Sequence, residues 1–412
     1  MDAQPACPPP LRESRCRPPP RRRSPLGPRP GAASLIATCL TLLAPATAVA
    51  ATSPPAPNTY DALQHQLDDL VRTPSGPPGV IAVLRDGRGS RVVRAGVADL
   101  RTGRRPDPDD HMRIASAAKA FSGAVALSLV HRRHLRLDDT LRERLPRLPS
   151  AWGSVTLRQL LNHTSGLPDF AQAPAFVDTV RADPRHRFDS RRLLDYVADQ
   201  PLRFRPGSRY QYSNSDNIAV ALMAEAATRI PYERLLDELV YRPLGLRHTS
   251  LPQGYRTPRP YLHGYDVDPP APPEDVSEVL GMSGVWASGG IVSTPTDMTS
   301  FVRGYAGGRL YGRHVVREQR RWIRGAASEP AGPGRNAAGL AVFRYTTRCG
   351  VVLGHTGNTL GYTQLIAATP DGRGSLTFSA TTQINQALKP GLLRKLRAVQ
   401  ENFVCALLRP KR

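Results

Sequence analysis

The stretch Arg113-Ile-Ala-Ser116-Ala-Ala-Lys119-Ala-Phe-Ser-Gly123 decides how the rest of the chain is interpreted. Ser116 and Lys119 are three residues apart, so on a helix their side chains share one face. The apolar residues that follow keep helical spacing and include Phe121, Val125 and Leu129. A serine hydroxyl needs a nearby base to act as a nucleophile, and a lysine amine serves only where burial or a neighbouring cation lowers its pKa. The motif therefore predicts a nucleophile and its base, provided that partners for them occur elsewhere in the chain.

The first 57 residues carry the pattern of an export signal. Residues 1–31 are rich in Pro and Arg and cannot form a core. Residues 32–50 form an apolar run that is interrupted by Pro45 and ends in two small-x-small cleavage patterns. This run is typical of a secretory signal peptide and is a poor permanent membrane span. We therefore expect a signal peptide over 1–50, a Pro/Ala linker over 51–57, and a mature protein that is secreted or held in the cell envelope.

The chain is strongly basic, with a formal net charge of +22. Removing residues 1–50 takes away seven Arg and two acidic residues, which leaves +17. The Arg residues are scattered, are not interleaved with aromatic residues and form no known nucleic-acid-binding module, so no nucleic-acid partner is predicted. A surface attracted to an anionic polymer of the envelope and an Arg-rich coding bias without function both stay open.

The cysteine and histidine patterns limit the kinds of site to expect. Five cysteines are present, but Cys7, Cys16 and Cys39 precede residue 50. The remaining two, Cys349 and Cys405, suggest a disulfide in an exported chain and would stay reduced in the cytosol. The ten His residues make no His-x-His or His-Glu-x-x-His pattern, so no metal site is indicated.

Strand patterns occur at both ends of the mature chain, and helical patterns lie between them. Strands are predicted over 79–84, 91–97, 340–345, 350–353, 362–368 and 375–381. Terminal helices are predicted over 58–73 and 392–407, and residues 117–300 are mainly helical. This order predicts an α/β protein, an α+β sandwich in which residues 58–116 and 301–408 form one sheet flanked by helices. A mostly helical domain over 117–300 would be inserted between them.

A second candidate part of the site is Tyr210-Gln-Tyr212-Ser-Asn214, which precedes a predicted helix over 215–229. A phenol beside a lysine can be held as phenolate or relay a proton, and an Asn two residues on can orient the lysine. The Tyr-x-Asn pattern alone is weak, because an aromatic residue that anchors a loop gives the same sequence.

A third candidate part is Gly354-His355-Thr356-Gly357-Asn358, at the end of a predicted strand. Small residues at a strand edge let a peptide approach the backbone closely. The backbone N–H groups of Asn358 and Ser116 would then form an oxyanion hole, with His355 and Thr356 as a cationic or hydrogen-bonding wall. On its own, His-Thr-Gly is also the sequence of an ordinary turn.

Together, the order Ser116, Tyr212, His355 resembles the serine β-lactamase and penicillin-binding D-alanyl-D-alanine carboxypeptidase superfamily, whose motifs run Ser-x-x-Lys, Tyr-x-Asn and Lys- or His-Thr-Gly. Three further stretches resemble signatures of that superfamily: Leu157-Arg-Gln-Leu-Leu-Asn-His163-Thr-Ser-Gly166-Leu-Pro, Tyr241-Arg-Pro-Leu-Gly-Leu246 and Ser288-Gly-Gly-Ile-Val-Ser-Thr294-Pro-Thr-Asp297. The resemblance covers about residues 58–408. The Tyr-Ser-Asn form is similar to the class C β-lactamase-like branch, and His-Thr-Gly to its exported D,D-carboxypeptidases.

The resemblance implies an antiparallel sheet and acyl transfer without a cofactor. Ser116 would be the nucleophile, Lys119 and Tyr212 would move its proton, and the N–H groups of Ser116 and Asn358 would hold the oxyanion. The same resemblance implies a Cys349–Cys405 disulfide.

The resemblance also implies which residues bind the substrate, namely Asn214, His355, Thr356, Gly357 and Asn358. A terminal carboxylate would be held by His355 in its protonated form, by Thr356 or Asn358, or by an Arg on the preceding strand, Arg344 or Arg348. Asn358 departs from the Thr or Ser that is usual there, so its side chain brings no hydroxyl to the substrate.

The resemblance implies a monomeric D-alanyl-D-alanine carboxypeptidase or transpeptidase that acts on peptidoglycan peptides and is acylated by β-lactams. Two alternatives stay open: an esterase or amide hydrolase of the same fold acting on a small substrate, and a penicillin-binding sensor with little turnover. The intact set of Ser116, Lys119 and Tyr212 argues against the sensor.

Overall fold

The computed structural model describes residues 59–87 and 89–409. The predicted signal peptide over 1–50 and the predicted linker over 51–57 lie outside the described residues. None of the helices within 59–87 and 89–409 combines the length and the apolar character that a membrane span requires.

The main sheet has eight strands in the order β2-β1-β12-β11-β10-β9-β8-β7, and all neighbours are antiparallel. Its strands are β1 Gly79–Asp86, β2 Gly89–Gly96, β7 Ile323–Arg324, β8 Arg335–Ala338, β9 Phe343–Thr347, β10 Gly350–Thr359, β11 Tyr362–Ala368 and β12 Ser375–Ala380. Two small two-stranded sheets pair β3 Met112–Arg113 with β6 Val292–Ser293, and β4 Tyr265–Asp266 with β5 Glu274–Asp275.

Twelve α-helices lie within the described residues. They are α1 Thr59–Arg72, α2 Ala118–His131, α3 Leu141–Arg144, α4 Leu157–Leu161, α5 Pro174–Ala182, α6 Asn214–Thr228, α7 Tyr232–Leu236, α8 Arg242–Leu244, α9 Trp286–Gly289, α10 Pro295–Ala306, α11 Arg313–Gln319 and α12 Pro390–Leu408. Most of them fall between the two groups of strands that form the main sheet.

Both chain ends contribute to the main sheet, because β1 from the start of the chain pairs with β12 from its end. Apolar residues of α1 and α12, such as Leu67 and Phe403, pack on one face of this sheet. Apolar residues of α2, α6 and α10, such as Phe121 and Phe301, form the core on the other face. The predicted fold class, an antiparallel sheet from both chain ends flanked by helices, is therefore confirmed. The boundaries at residues 116 and 300 stay a prediction.

Strand β10 is longer than its sequence pattern predicts, since it continues from Gly350 to Thr359 instead of ending at 353. Its second half pairs with β11 as far as Thr359 and Tyr362. Glycine is required in this half because a Cβ at Gly354 would lie 1.8 Å from the carbonyl oxygen of Ile366. The small residues that indicate a turn in sequence thus continue a buried strand, and the pairing with β11 overrides their low strand propensity.

Several elements differ from their predicted form. Within the predicted helical region 117–300, Ser190–Val197 is a 3₁₀ segment instead of an α-helix. In the same region, helix α7 continues directly into a π-helical turn, Asp237–Tyr241. Strands β7 and β8 were not predicted, because with two and four residues they are too short to show an alternating pattern.

Cys349 and Cys405 form a disulfide, the pairing that the family resemblance implied. It joins the residue before β10 to the last turns of α12, across 56 positions of sequence. A cross-link of this span restricts the unfolded chain and so raises the free energy of unfolding.

We predict that reduction of this disulfide lowers the free energy of unfolding by about 4 kcal/mol in the chain-entropy model. Urea unfolding of oxidised protein and of a Cys349→Ser/Cys405→Ala variant measures the difference. Thiol titration of the unreduced mature protein should find no free thiol, and two reactive thiols would contradict the cross-link.

Candidate active site

Ser116 lies in a 3₁₀ turn, Ala115–Ala117, directly before helix α2. Ala115 has a φ of 49°, in the left-handed region that non-glycine residues adopt only where the surrounding structure imposes it. Ser116 keeps part of its surface exposed while both of its neighbours are buried. Its hydroxyl therefore reaches a cavity of about 620 Å³ that is also lined by Tyr212, Asn214 and Asn358.

The Lys119 side chain is fully buried one turn further along α2. Its Nζ lies 3.1 Å from Ser116 Oγ, 2.8 Å from Asn214 Oδ1 and 2.8 Å from the carbonyl oxygen of Ser288. Burial lowers the pKa of Lys119 to about 7, while the more distant carboxylates of Asp169, Glu329 and Asp216 oppose this shift. The structure thus brings together the predicted nucleophile and its predicted base.

The hydrogen bonds of Lys119 determine where its lone pair points once the amine is neutral. A neutral amine has two N–H donors, and the amide oxygen of Asn214 and the carbonyl oxygen of Ser288 can only accept. With both donors engaged there, the lone pair is left for Ser116 Oγ. The hydroxyl of Ser116 can then donate to Lys119, which is the arrangement that a general base requires.

Asn214 is held in this orientation by Asp169. The Asp169 Oδ2 atom accepts from the Asn214 side-chain Nδ2 at 3.0 Å and from its backbone N–H at 3.1 Å. Because the amide nitrogen is occupied by a carboxylate, the amide oxygen faces Lys119. Asn214 is also the first residue of α6, so the carboxylate lies at a helix N-terminus, where negative charge is favourable.

Tyr212 places its ring beside Lys119, with Nζ 4.9 Å from the ring centroid. Its hydroxyl is buried and has no hydrogen-bond partner among the described residues. Burial raises the pKa of Tyr212 well above its usual value, and the neighbouring Ser116 hydroxyl offsets only part of this effect. Of the two roles open from the sequence, the structure favours a neutral phenol that passes a proton on over a resting phenolate.

His163, from the signature that begins with Leu157, packs against Tyr212 and the loop that carries it. The ring centroid of His163 lies 4.5 Å from that of Tyr212, and the backbone carbonyl of His163 accepts from Gln211 N at 2.9 Å. His163 Nδ1 lies 2.8 Å from Asp216 Oδ2, and burial lowers the pKa of His163 to about 3. This histidine is therefore neutral and has a structural part in positioning the tyrosine loop.

Strand β10 passes close to the turn that carries Ser116, and Gly357 permits the approach. A Cβ at Gly357 would lie 2.2 Å from the carbonyl oxygen of Ile114 and 3.2 Å from Ala117 N. The next residue, Asn358, lines the same cavity as Ser116. The two backbone positions of the predicted oxyanion hole are thus brought to one cavity.

The side chain of Asn358 is engaged within the protein. Its Nδ2 donates to Thr363 Oγ1 and to the carbonyl oxygen of Ile384, both at 2.9 Å. Its Oδ1 accepts from Gln383 Nε2 at 3.0 Å and from Asn385 Nδ2 at 3.1 Å. These four bonds use the full capacity of the amide, so Asn358 anchors the segment after β12 and leaves only its backbone for a substrate.

The predicted role of His355 as a cationic wall is wrong. Its side chain is fully buried, its Nδ1 lies 2.5 Å from the carbonyl oxygen of Thr356, and its ring packs edge-on against Phe343. Burial lowers the pKa of His355 to about 3. A neutral, enclosed imidazole cannot hold a substrate carboxylate, and the ring instead packs behind Tyr212, 6.5 Å away.

Two further predictions on binding of the substrate's terminal carboxylate need correction. The hydroxyl of Thr356 is buried and lies 2.7 Å from both Ser328 Oγ and the carbonyl oxygen of Pro330, so it is turned away from the cavity. Arg344 lines a different cavity, and Arg348 binds the surface residues Glu401 and Asn402. Both arginines lie on or next to β9, which pairs with residues 350–354 of β10, whereas the turn that carries Ser116 lies beside Gly357.

Four residues of the site were not predicted from the sequence. Asp169 and Ser288 fall inside or directly after stretches that were noted only as family signatures. Glu329 and Arg397 line the cavity of Ser116 but belong to a loop and to a helix face without any pattern that points to them. The Glu329 side chain is exposed towards this cavity, and partial desolvation raises its pKa.

No group of His, Cys, Asp and Glu suited to bind a metal ion occurs within residues 59–87 and 89–409. The described residues around the cavity offer a serine hydroxyl, a desolvated amine, a phenol and two backbone N–H groups.

The chain is similar in sequence to known proteins. The sequence model of the Beta-lactamase family matches residues 67–400. A D-alanyl-D-alanine-carboxypeptidase/endopeptidase, AmpH of Escherichia coli strain K12, is 31% identical over 253 residues, which are 58% of this chain and 60% of that protein. A D-aminopeptidase of Brucella anthropi is 34% identical over 179 residues, which are 43% of this chain and 33% of that protein. The chain thus spans less than two thirds of either curated relative.

Among solved structures, a D-stereospecific amidohydrolase from Streptomyces sp. has a TM-score of 0.69 and 28% sequence identity. The superposition covers 79% of this chain and 95% of that chain. The likeness therefore includes nearly the whole of that amidohydrolase chain.

We predict that acylation of Ser116 by a neutral ester accelerates with pH and levels off above about 7. The rate should rise about tenfold per pH unit below that value, because only the neutral fraction of Lys119 accepts the proton. Stopped-flow measurement of the acylation rate between pH 5 and 9 tests this.

A carboxylate-bearing peptide should share this acidic limb, because His355 stays neutral over the whole range. Peptide affinity that weakens between pH 6 and 7 in the wild-type protein, but not in a His355→Gln variant, would contradict the burial of His355.

Proposed function

The chain belongs to the Beta-lactamase family, and we propose that it is a serine amide hydrolase that forms an acyl-enzyme on Ser116, with D-alanyl-D-alanine peptides as its first substrate class. The observation that carries the proposal is the buried Lys119 amine, 3.1 Å from Ser116 Oγ and with a pKa lowered to about 7. The family fold and the names of the relatives, which act on D-amino-acid compounds, support the choice of substrate.

The proposed acylation begins with transfer of the Ser116 proton to the neutral amine of Lys119. Ser116 Oγ then bonds to the substrate carbonyl carbon, and the backbone N–H groups of Ser116 and Asn358 stabilise the negative charge on the carbonyl oxygen. When the amide C–N bond breaks, the leaving nitrogen receives a proton through the neutral phenol of Tyr212. Lys119 returns a proton to Tyr212, which restores both groups.

Deacylation repeats these steps with water in place of the leaving amine. Water gives a proton to the Lys119–Tyr212 pair, its oxygen bonds to the acyl carbon, and Ser116 recovers its proton as the ester bond breaks. An acceptor amine in place of water would give transpeptidation. The same nucleophile would open a β-lactam ring, so we propose that β-lactams acylate this protein.

Arg397 is the group that we propose for binding a terminal carboxylate. It lines the cavity of Ser116, and its Nε and Nη2 donate to the carbonyl oxygens of Gly332 at 3.0 Å and Gly334 at 2.9 Å. These bonds hold the guanidinium in place, and no described residue is bonded to Nη1. A fixed guanidinium with a donor left over is suited to a carboxylate. It takes the role that the sequence suggested for His355 and Arg344.

A second substrate class is favoured by Glu329. Its carboxylate lines the same cavity and has no hydrogen bond or ion pair with any described residue. A substrate with a free α-ammonium group would find a counter-charge there, which suits an amidase or aminopeptidase. The choice between the two classes therefore depends on whether Arg397 or Glu329 contacts the substrate.

We also propose that the protein works outside the cytoplasm, in the envelope or secreted. The Cys349–Cys405 disulfide supports an oxidising compartment, in line with the export signal expected over 1–50.

The test measures both the adduct and the substrate class. Intact-mass spectrometry after penicillin, with peptide mapping, should find one acyl group on Ser116 and none in a Ser116→Ala variant. An adduct on another residue, or none on the wild-type protein, would overturn the proposed chemistry.

Substrate class is then measured as kcat/KM for N-acetyl-D-Ala-D-Ala and for D-Ala p-nitroanilide. Arg397→Gln should lower the value for the acetylated dipeptide by about tenfold, since a charge-assisted hydrogen bond is lost, and should affect the anilide little. Arg348→Gln removes an arginine outside the cavity and serves as the matched control. The opposite outcome would assign the amine-bearing class. In that case Glu329→Gln lowers kcat/KM for the anilide only, and Arg397→Gln keeps its activity on both substrates.

A further inference from the structure

A second cavity of about 820 Å³ adjoins that of Ser116 at the edge of the main sheet. It is formed by β7, β8, β9 and the loop over 325–334 that joins the first two of these strands. Ala331 and Arg397 line both cavities. A peptide bound at Ser116 can therefore extend into the second cavity past these two residues.

Three arginines of this second cavity project from one face of the sheet. Arg324 on β7 lies directly opposite Ala337 on β8, and Ala337 lies opposite Arg344 on β9. Arg335 precedes Ala337 by two positions and therefore points to the same side. Diagonal neighbours on adjacent strands lie about 7–8 Å apart, so Arg335 is close to both other arginines, with the small Ala337 leaving space between them.

These three arginines have no counter-charge among the described residues. Within residues 59–87 and 89–409, no ion pair or hydrogen bond involves the side chain of Arg324, Arg335 or Arg344, and no Asp or Glu lines their cavity. Some other arginines are paired with acidic residues, as Arg104 is with Asp110 and Arg191 with Glu225. Like charges on neighbouring strands repel each other, and a bound anion would relieve this repulsion.

We infer that this arginine cavity binds the carboxylates of an acidic peptide while the peptide's scissile bond lies at Ser116. Guanidinium groups bind carboxylates through paired N–H···O bonds, and three of them on one face match a peptide with two or more carboxylates. Because Ala331 and Arg397 line both cavities, a peptide with its scissile bond at Ser116 can also reach the three arginines. The inference rests on the proposed function only in placing a peptide at Ser116.

The test measures binding without catalysis, in the full-length mature protein carrying Ser116→Ala. Two fluorescent peptides are compared by anisotropy: both end in D-Ala-D-Ala and differ only in carrying two Glu or two Gln residues away from that end. The Glu peptide should bind about tenfold more tightly, as two partly exposed ion pairs of ordinary strength allow, and this preference should shrink as salt rises.

Replacing Arg324, Arg335 and Arg344 by Gln together should remove the preference for the Glu peptide and leave the affinity for the Gln peptide unchanged. The matched control replaces Arg192, Arg234 and Arg242, three exposed and paired arginines, by Gln. It changes the net charge equally and should keep the preference. A preference that survives in the cavity variant, or that disappears equally in the control, overturns the inference.

The single variants Arg324→Gln and Arg335→Gln, at exposed positions, guard against misfolding of the triple variant. Each should weaken binding of the Glu peptide about two- to threefold without a change in melting temperature. Penicillin acylation of the same variants with Ser116 intact is measured separately. Normal acylation with no peptide preference would refute the arginine cavity alone, whereas failed acylation in the wild-type protein would refute the proposed chemistry.

Discussion

The site depends on the removal of one amine, that of Lys119, from water. An exposed lysine is protonated at neutral pH and cannot accept the proton of a serine. Helix α2 avoids this because its sequence is small and apolar on all sides, so the packed helix encloses the lysine side chain completely. Burial alone would leave polar hydrogens without partners. Asn214 and Ser288 supply the two acceptors, which stabilise the neutral amine and direct its lone pair at Ser116.

A second constraint is the close approach of strand β10 to the turn before α2. The two parts of the predicted oxyanion hole, Ser116 and Asn358, come from segments more than 240 positions apart, and the close contact at Gly357 lets them line one cavity. The neighbouring residues then face inward. The side chains of Thr356 and His355 are buried. The side-chain amide of Asn358 forms hydrogen bonds with the segment after β12. The charged side chains that line the cavity come from other elements, Glu329 from a loop and Arg397 from helix α12.

The fold class could be predicted from the order of strand and helix patterns. Ser116, Lys119, Tyr212 and Asn214 could be predicted as parts of the site, because each lies in a short motif whose chemistry explains its residues. The sequence did not allow burial to be predicted at His355 or Thr356. Whether a polar residue on a strand faces a cavity or a core depends on the partner strand and on the loop that covers it, and neither is encoded locally. Glu329, Arg397 and the arginine cavity were missed for the same reason. The register of β7, β8 and β9 brings three arginines together from positions 324, 335 and 344, and two of those strands are too short to show a pattern.

The most direct test of this account is the pKa of the Lys119 amine itself. The chain has only four lysines, so NMR of protein labelled at the lysine side chain resolves each amine during a pH titration. One lysine should titrate near pH 7, and its signal should be missing in a Lys119→Met variant, while the others titrate near their usual value of about 10.4. If all lysines, including Lys119, titrate near that value, the amine is protonated in the resting enzyme and the proposed base is wrong.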